Sequence, residues 1–336
     1  MSQLLVLSED ELALLRFTGD LFFVDESPLI HVERAAREPA DYAGSYKALV
    51  DRNIVDPHGF RITDDALNQL APVTECDARI VHIIVDDDGT ITQQDHWLLD
   101  EIAVVYERHG EGASAKHLFG PDLDPHQLVQ RLGRQLVPRR SGGERFDTTL
   151  SAHDVVATTL LVEAAHRFDR RILTLDEIRT ALGKMPADDG LVGALPALSS
   201  GRLGITKKPA REVRSVDAIV RSLTERGVVV VEGGGLRLHA ALFALRGRRS
   251  ARHTLVRTDF RDDDWLVREV TLLPVEGSLF LIAPGRGGFR IAELDGDALY
   301  AVLRDACGPA SSSSPERPAP EPQRLAALLA GQPRRG

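Results

Sequence analysis

The residues from which specific chemistry would be built are few: two cysteines, eleven histidines and a scatter of carboxylates. Cys76 and Cys307 lie far apart with no CxxC pattern, which argues against a disulfide framework or a thiolate metal site and for two small apolar residues. "DDDGTI" (86–91) echoes a calcium loop, but Ile84 occupies the first ligand position and Asp95, not Glu, the twelfth. An acidic turn is therefore expected there. His96 stands beside Trp97 in neither ligand nor triad spacing, and His82 alternates with Val81 and Ile83 as a solvent-facing strand histidine would. No GxxxxGK[ST], HExxH, GxSxG or strand-linked GxGxxG motif occurs, and "GRGG" (285–288) reads as a turn between strands. Glu101 and Glu269 recur within two similar phrases, either as structural carboxylates or as part of a symmetric binding surface. Paired acid–base catalysis needs two carboxylates at one site, and nothing in the sequence brings these together. The expectation is a protein that is not an enzyme, with no catalytic residue, no metal ligands and no cofactor.

The elements that would position such residues are written twice. "WLLDEIAVV" (97–105) holds one of the two tryptophans and "WLVREVTLL" (265–273) the other, 168 residues later. Further matches keep the same order: "LSEDEL" (7–12) with "LSAHDV" (150–155), "LVDRNIV" (49–55) with "LTERGVV" (223–229), "GFRI" (59–62) with "GLRL" (235–238), and "LDPHQLVQRL" (123–132) with "LDGDALYAVL" (294–303). This predicts an α+β fold made by tandem duplication of one unit. Each unit is expected to hold N-terminal helices, a short hairpin, an antiparallel sheet and a closing helix. Pro274, "EG" and "GRGG" punctuate the second Trp region into strands, and by internal homology 97–106 is expected to be one strand as well. Trp97, Trp265, Glu101 and Glu269 then become the anchors of the repeat, the tryptophans as core aromatics.

Composition sets the boundaries. With 43% hydrophobic and 27% charged residues the chain reads as soluble and globular. It has no apolar run near 18 residues, and "MSQLLVLSEDE" has neither a basic start nor a cleavable core, so a cytoplasmic protein without membrane contact is expected. Residues 1–150 carry 14 Lys and Arg against 27 Asp and Glu, whereas the rest of the chain is net +4. The expected organisation is a first repeat over 1–140, a linker over 141–149, a second repeat over 150–308 with an insertion at 183–215, and a disordered tail over 309–336. Two basic clusters, "KKPAREVR" (207–214) and "RGRRSARH" (246–253), supply candidate partner contacts in Lys207, Lys208, Arg211, Arg246, Arg248 and Arg249.

A helix, a turn at "RN" or "RG" and a short hairpin follow the winged-helix habit in each half, which raises a DNA-binding regulator as one reading. The acidic first half disfavours a phosphate backbone. The other reading starts from "LSEDEL", the "L..R.IV" helix end with its hairpin, the central antiparallel sheet and the final "LD...L...L" helix. This order resembles the EspG-type chaperones of the ESX (type VII) secretion system, over most of residues 1–307. The resemblance implies two quasi-symmetric α+β halves and a cytoplasmic chaperone or adaptor that binds a helical secretion substrate. The DDD-Trp junctions and the 183–215 insertion depart from that pattern. A structural subunit of a larger bacterial assembly would share this composition. On any of these readings the expected partner is another protein, with nucleic acid second.

Overall fold

Two serines open the two halves of the chain in the same way. In the computed structural model, which describes residues 4–16, 20–32, 43–58, 61–86, 88–111, 114–138, 145–183, 215–245, 251–261, 264–275 and 277–308, strand β1 (Leu5–Ser8) runs into helix α1 (Glu9–Leu15). The Ser8 hydroxyl accepts from Glu11 N, and the Glu11 carboxylate accepts in return from Ser8 N, a capping box. Strand β6 (Asp147–Leu150) likewise runs into α5 (Ala152–Phe168), where Ser151 accepts from Asp154 N. These side chains satisfy amides that a helix start leaves without partners.

One later helix of each half stops in the same way. Helix α2 (Ala43–Asp51) leads to Asn53 at φ 56°, and α7 (Val216–Glu225) to Gly227 at φ 69°. Ile54 N then donates to Leu49 O, and Val228 N to Leu223 O, both at 2.9 Å. This is the left-handed stop that favours Gly or Asn. Each half then turns back. The first has, among the described residues, one bridge, Val55 to Ile62, before α3 (Asp64–Thr74). The second has strands β8 (Val229–Glu232) and β9 (Gly235–Leu238), joined by Gly233 and Gly234 at φ 57° and 80°, before α8 (Ala240–Ala244). Strand β7 (Ile172–Thr174), which precedes α6 (Leu175–Leu182), completes a three-stranded sheet in the order β7-β9-β8.

The remaining strands form the body of the molecule. They are β2 (Ala78–Val85), β3 (Ile91–Leu99), β4 (Ile102–His109) and β5 (Lys116–Phe119), then β10 (Arg252–Arg261), β11 (Asp264–Val275), β12 (Ser278–Gly285) and β13 (Gly288–Leu294). With β1 and β6 they make one antiparallel sheet in the order β1-β5-β4-β3-β2-β10-β11-β12-β13-β6. Outward from the β2–β10 seam, each half adds its strands in chain order and ends with its own N-terminal strand. The α+β class expected from the sequence is the one observed.

Each half closes with a helix of 12 residues, α4 (Pro125–Leu136) and α9 (Gly296–Cys307), started by Asp124 and Asp295 as N-caps. These two helices pack on each other and together cover one face of the sheet centre. Leu128, Leu132, Leu299, Leu303 and Cys307 meet Ile80, Leu98, Leu255 and Leu272 there. At the crossing, a Cβ on Gly133 would stand 2.5 Å from the Tyr300 ring, so any larger residue there would have to displace that ring. On the opposite face α1 to α3 cover the first-half flank, and α5 to α8 the second.

The Trp phrases do not occupy equivalent places. "WLLDEIAVV" is a hairpin: β3 ends at Leu99, Asp100 turns at φ 50° with its N–H held by Asp77 Oδ2 at 3.1 Å, and β4 begins at Ile102. "WLVREVTLL" lies wholly within β11. Trp97 is near the end of β3 and Trp265 near the start of β11, so the single strand expected over 97–106 is corrected to two. Alternation of apolar residues fits a strand and a tight hairpin equally well. The deciding difference is the fourth letter, Asp100 against Arg268, since Asp tolerates the left-handed turn. Residues 147–149, read as the end of a linker, form most of β6. The insertion lies outside the described residues except for Gly183 and Ser215, and the tail at 309–336 lies outside them entirely.

Candidate partner-binding face

The two flanking helical layers leave the middle of the sheet half-covered. Along β2, Ala78, Ile80 and His82 are buried beneath α4 and α9, whereas Arg79, Val81 and Ile83 on the other face are half-buried. Strand β10 repeats this, with Leu255, Arg257 and Asp259 buried and Thr254, Val256 and Thr258 half-buried. The register sets Val81 beside Val256, Ile83 beside Thr254 and Arg79 beside Thr258. Asp95 of β3 and Val267 of β11 extend the strip on either side. Its first-half margin is aromatic. Trp97 is buried with its ring 6.4 Å from that of Phe260, and the Arg79 guanidinium lies 5.1 Å over the indole while pairing with Asp95. The strip thus carries β-branched side chains, hydroxyls and, beside Val256, the buried carboxylate of Glu269, and the Arg79–Asp95 ion pair borders it.

The buried face of the same strands holds polar groups that sequence reading missed. His82 on β2 and His253 on β10 meet across the seam, Nε2 to Nδ1 at 3.0 Å, so one ring donates and the other accepts. His82 is not solvent-facing as expected; it is buried. Burial, then His253, His96 and Arg131, depress its pKa to about 3. His96 is also buried, and burial with Arg131 lowers it to about 4 against the pull of Asp95. Burial lowers His253 too, opposed by Asp86. Beside them Arg257 and Asp259, both buried, bond at 2.8 Å, and Arg268 bridges Asp259 to Asp305 of α9 at 2.8 and 3.0 Å. Burial pushes Asp259 up, but hydrogen bonds from both arginines outweigh it and hold the carboxyl below its usual range. Arg257 also donates to Gly308 O, tying the end of α9 to the sheet. The one usable signal is the loose likeness of "RHTLVRTDF" (252–260) to "ARIVHIIV" (78–85) as equivalent strands of the repeat, which puts both histidines on strands.

The remaining candidates are dispersed. Glu101 is exposed in the β3–β4 turn, whereas Glu269 is buried within β11, with β2 and β10 between β3 and β11. They form no pair. Lys207, Lys208, Arg211, Arg246, Arg248 and Arg249 lie outside the described residues. Cys76 and Cys307 are buried, and burial pushes the Cys307 thiol up to about 12. Asp86 and Asp88 close a turn in which Asp88 accepts from Thr90 N at 2.8 Å. Among the described residues, no group of three or more His, Cys, Asp or Glu has metal-ligand spacing, and no helix is long and apolar enough to cross a membrane.

No family model and no curated protein matches the chain. Among solved structures, the type VII secretion system chaperone EspG5 of Mycobacterium tuberculosis, in complex with a PE25–PPE41 dimer, is similar over 93% of this chain and 98% of that chain. The TM-score is 0.43 and the sequence identity 10%. The likeness is one of structure.

Proposed function

We propose that this chain is a non-enzymatic, cytoplasmic protein-binding adaptor, formed by tandem duplication of one α+β unit. In its finer form the reading is a chaperone that keeps a helical secretion substrate of the type VII class soluble. The half-buried strip over β3, β2, β10 and β11 carries it. Four strands at about 4.8 Å spacing span roughly 14 Å, wide enough for one helix of about 10–12 Å diameter. Val81, Ile83 and Val256 would meet the apolar stripe of such a helix, and the Arg79–Asp95 pair its polar margin. The helix, strand, helix, helix, hairpin order of α5 to β9 supports the winged-helix reading as a second possibility. Helix α7 carries Asp217 and Glu225 against a single Arg221, which suits a protein surface better than a phosphate backbone.

Affinity purification of the full chain from its native cytoplasm tests this, with mass spectrometry of what co-elutes. The expected result is one small helical protein in stoichiometric amount. It should be lost from Val256→Lys, a half-buried position whose substitution leaves the fold intact by circular dichroism. Recovery of nucleic acid alone would move the assignment to the regulator. Equal recovery by wild type and variant would remove the strip as the binding face.

A further inference from the structure

Strands β1 and β6 stand at the two ends of the ten-stranded sheet, and among the described residues neither pairs with a second strand. Such edges invite strands from other chains and are ordinarily guarded by charge, proline or a bulge. Strand β1, Leu-Val-Leu-Ser in regular register with β5, has none of these. Its outward groups are nevertheless taken. Val6 O accepts from Arg52 Nη1 at 2.7 Å, and Ser8 N donates to Glu11 Oε2 at 2.8 Å. Arg52 Nη2 donates to Glu11 Oε1 at 2.6 Å, and its Nε to Ala48 O at 3.2 Å. Main-chain groups of an antiparallel strand alternate between its two sides, so Val6 and Ser8 face outward while Leu5 and Leu7 face β5. The Arg52–Glu11 pair thus offers the edge one donor and one acceptor, as the backbone of a further strand would. The other end is closed in the same way. Arg226 Nη1 donates to Thr149 O, and its Nε lies 3.4 Å from Asp154 Oδ2, which also accepts from the Ser151 hydroxyl. Phe146 O accepts from Glu293 N on β13, so the same alternation turns Thr149 outward. Arg52 and Arg226 each stand three residues after a buried leucine, Val6 and Thr149 two before a capping serine, and Glu11 and Asp154 three after it. One contact therefore recurs at corresponding positions of all three elements.

We propose that Arg52 and Arg226 are edge locks: each guanidinium holds the outward carbonyl that an added strand would need, so the sheet takes no further strand at either end. An extended peptide is thereby refused at the ends of the sheet, and a partner is left its faces. Val6, Ser8 and Thr149 are half-buried, so their outward groups come within reach of a competing strand once the arginine is gone. Both arginine side chains are 39% exposed, so shortening them opens no core cavity. The two ends differ in what else protects them. Strand β6 also carries Asp147, held by Arg290 of β13 at 2.9 and 2.6 Å, whereas β1 has no charged residue. Removing Arg52 should therefore open the sheet further than removing Arg226.

Sedimentation velocity and light scattering of the full chain at matched concentrations read this, for wild type, Arg52→Met and Arg226→Met. Methionine keeps an apolar stem and removes every donor. The expected result is self-association at least about tenfold stronger than wild type for Arg52→Met and a smaller rise for Arg226→Met, with unchanged circular dichroism. A second substitution separates an opened edge from a loosened fold. Val6→Pro removes an N–H that faces away from β5, so adding it to Arg52→Met should return association to the wild-type level, as Thr149→Pro should in Arg226→Met. Association through unfolded chain would instead persist or grow. Methionine variants that associate no more than wild type overturn the proposal. So does association that the prolines leave unaltered. Each end carries its own pair of variants, so a chain that fails to fold at one end leaves the other to decide.

Discussion

The helix α2 with its turn back, and helix α7 with β8 and β9, share a stop signal and differ in the residues beyond it. Both helices end at a left-handed residue and fold the next amide back onto a buried leucine carbonyl. After that, the first half makes one bridge, with Val55 and Ile62 buried around Asp56 and Pro57. The second half makes a full hairpin with two exposed valines. A shared local device therefore places the element, and the neighbouring residues decide whether it closes on itself or presents an edge. The same division holds at the sheet centre, where one face of β2 and β10 is sealed by α4 and α9 and the other stays half-open.

Leu49→Ala and Leu223→Ala probe the shared part with the largest expected effect. Each leucine is fully buried at the same point of its unit, so each truncation is expected to cost about 2–5 kcal/mol in urea unfolding. Costs that differ by more than a factor of two would show that the two cores are not equivalent supports.

The seam is expected to respond to acid. His82 and His96 have folded pKa values of about 3 and about 4, below the ordinary 6.5. Above pH 6.5 both states hold them neutral and they impose no penalty. As pH falls from 6.5 toward 4, the unfolded chain takes up protons that the folded chain refuses, and stability drops by roughly 1.4 kcal/mol per pH unit for each histidine. His82→Gln should flatten that slope by about one histidine's share. An unchanged acid-unfolding profile would separate the seam from the acid response.

The smallest contrast lies at the helix stops. Gly227→Ala introduces a Cβ at φ 69° with no neighbour to clash, so its cost is backbone strain of about 1 kcal/mol. Asn53→Gly relieves the same conformation and should change stability by less than half as much in either direction. Equal losses at both positions would mean that the Asn53 side chain holds its half by a contact of its own.

Much of this local structure is legible in the sequence. "LSEDEL" and "LSAHDV" stand out in the sequence as matching phrases, and the helix starts they hold have a local cause, a serine that caps the amide three residues on, next to a carboxylate. "RN" and "RG" read as stops for an equally local reason. The Trp phrases misled because alternation does not distinguish a strand from a hairpin, and Asp100 had to be recognised as the turn residue. The half-buried strip and the histidine pair were not legible. His82 and Val81 are adjacent on one strand, and which of them faces solvent depends on what packs above each face.

Caps, turns and the order of elements are settled by the amino-acid order alone, since these rest on interactions within a few residues. It took the folded chain to set β2 against β10, to close α4 and α9 over one face of that seam, and to leave the other face half-open. Strand pairing across some 170 residues of chain is chosen by the global match of buried surfaces and ladder hydrogen bonds, and no local pattern records that choice.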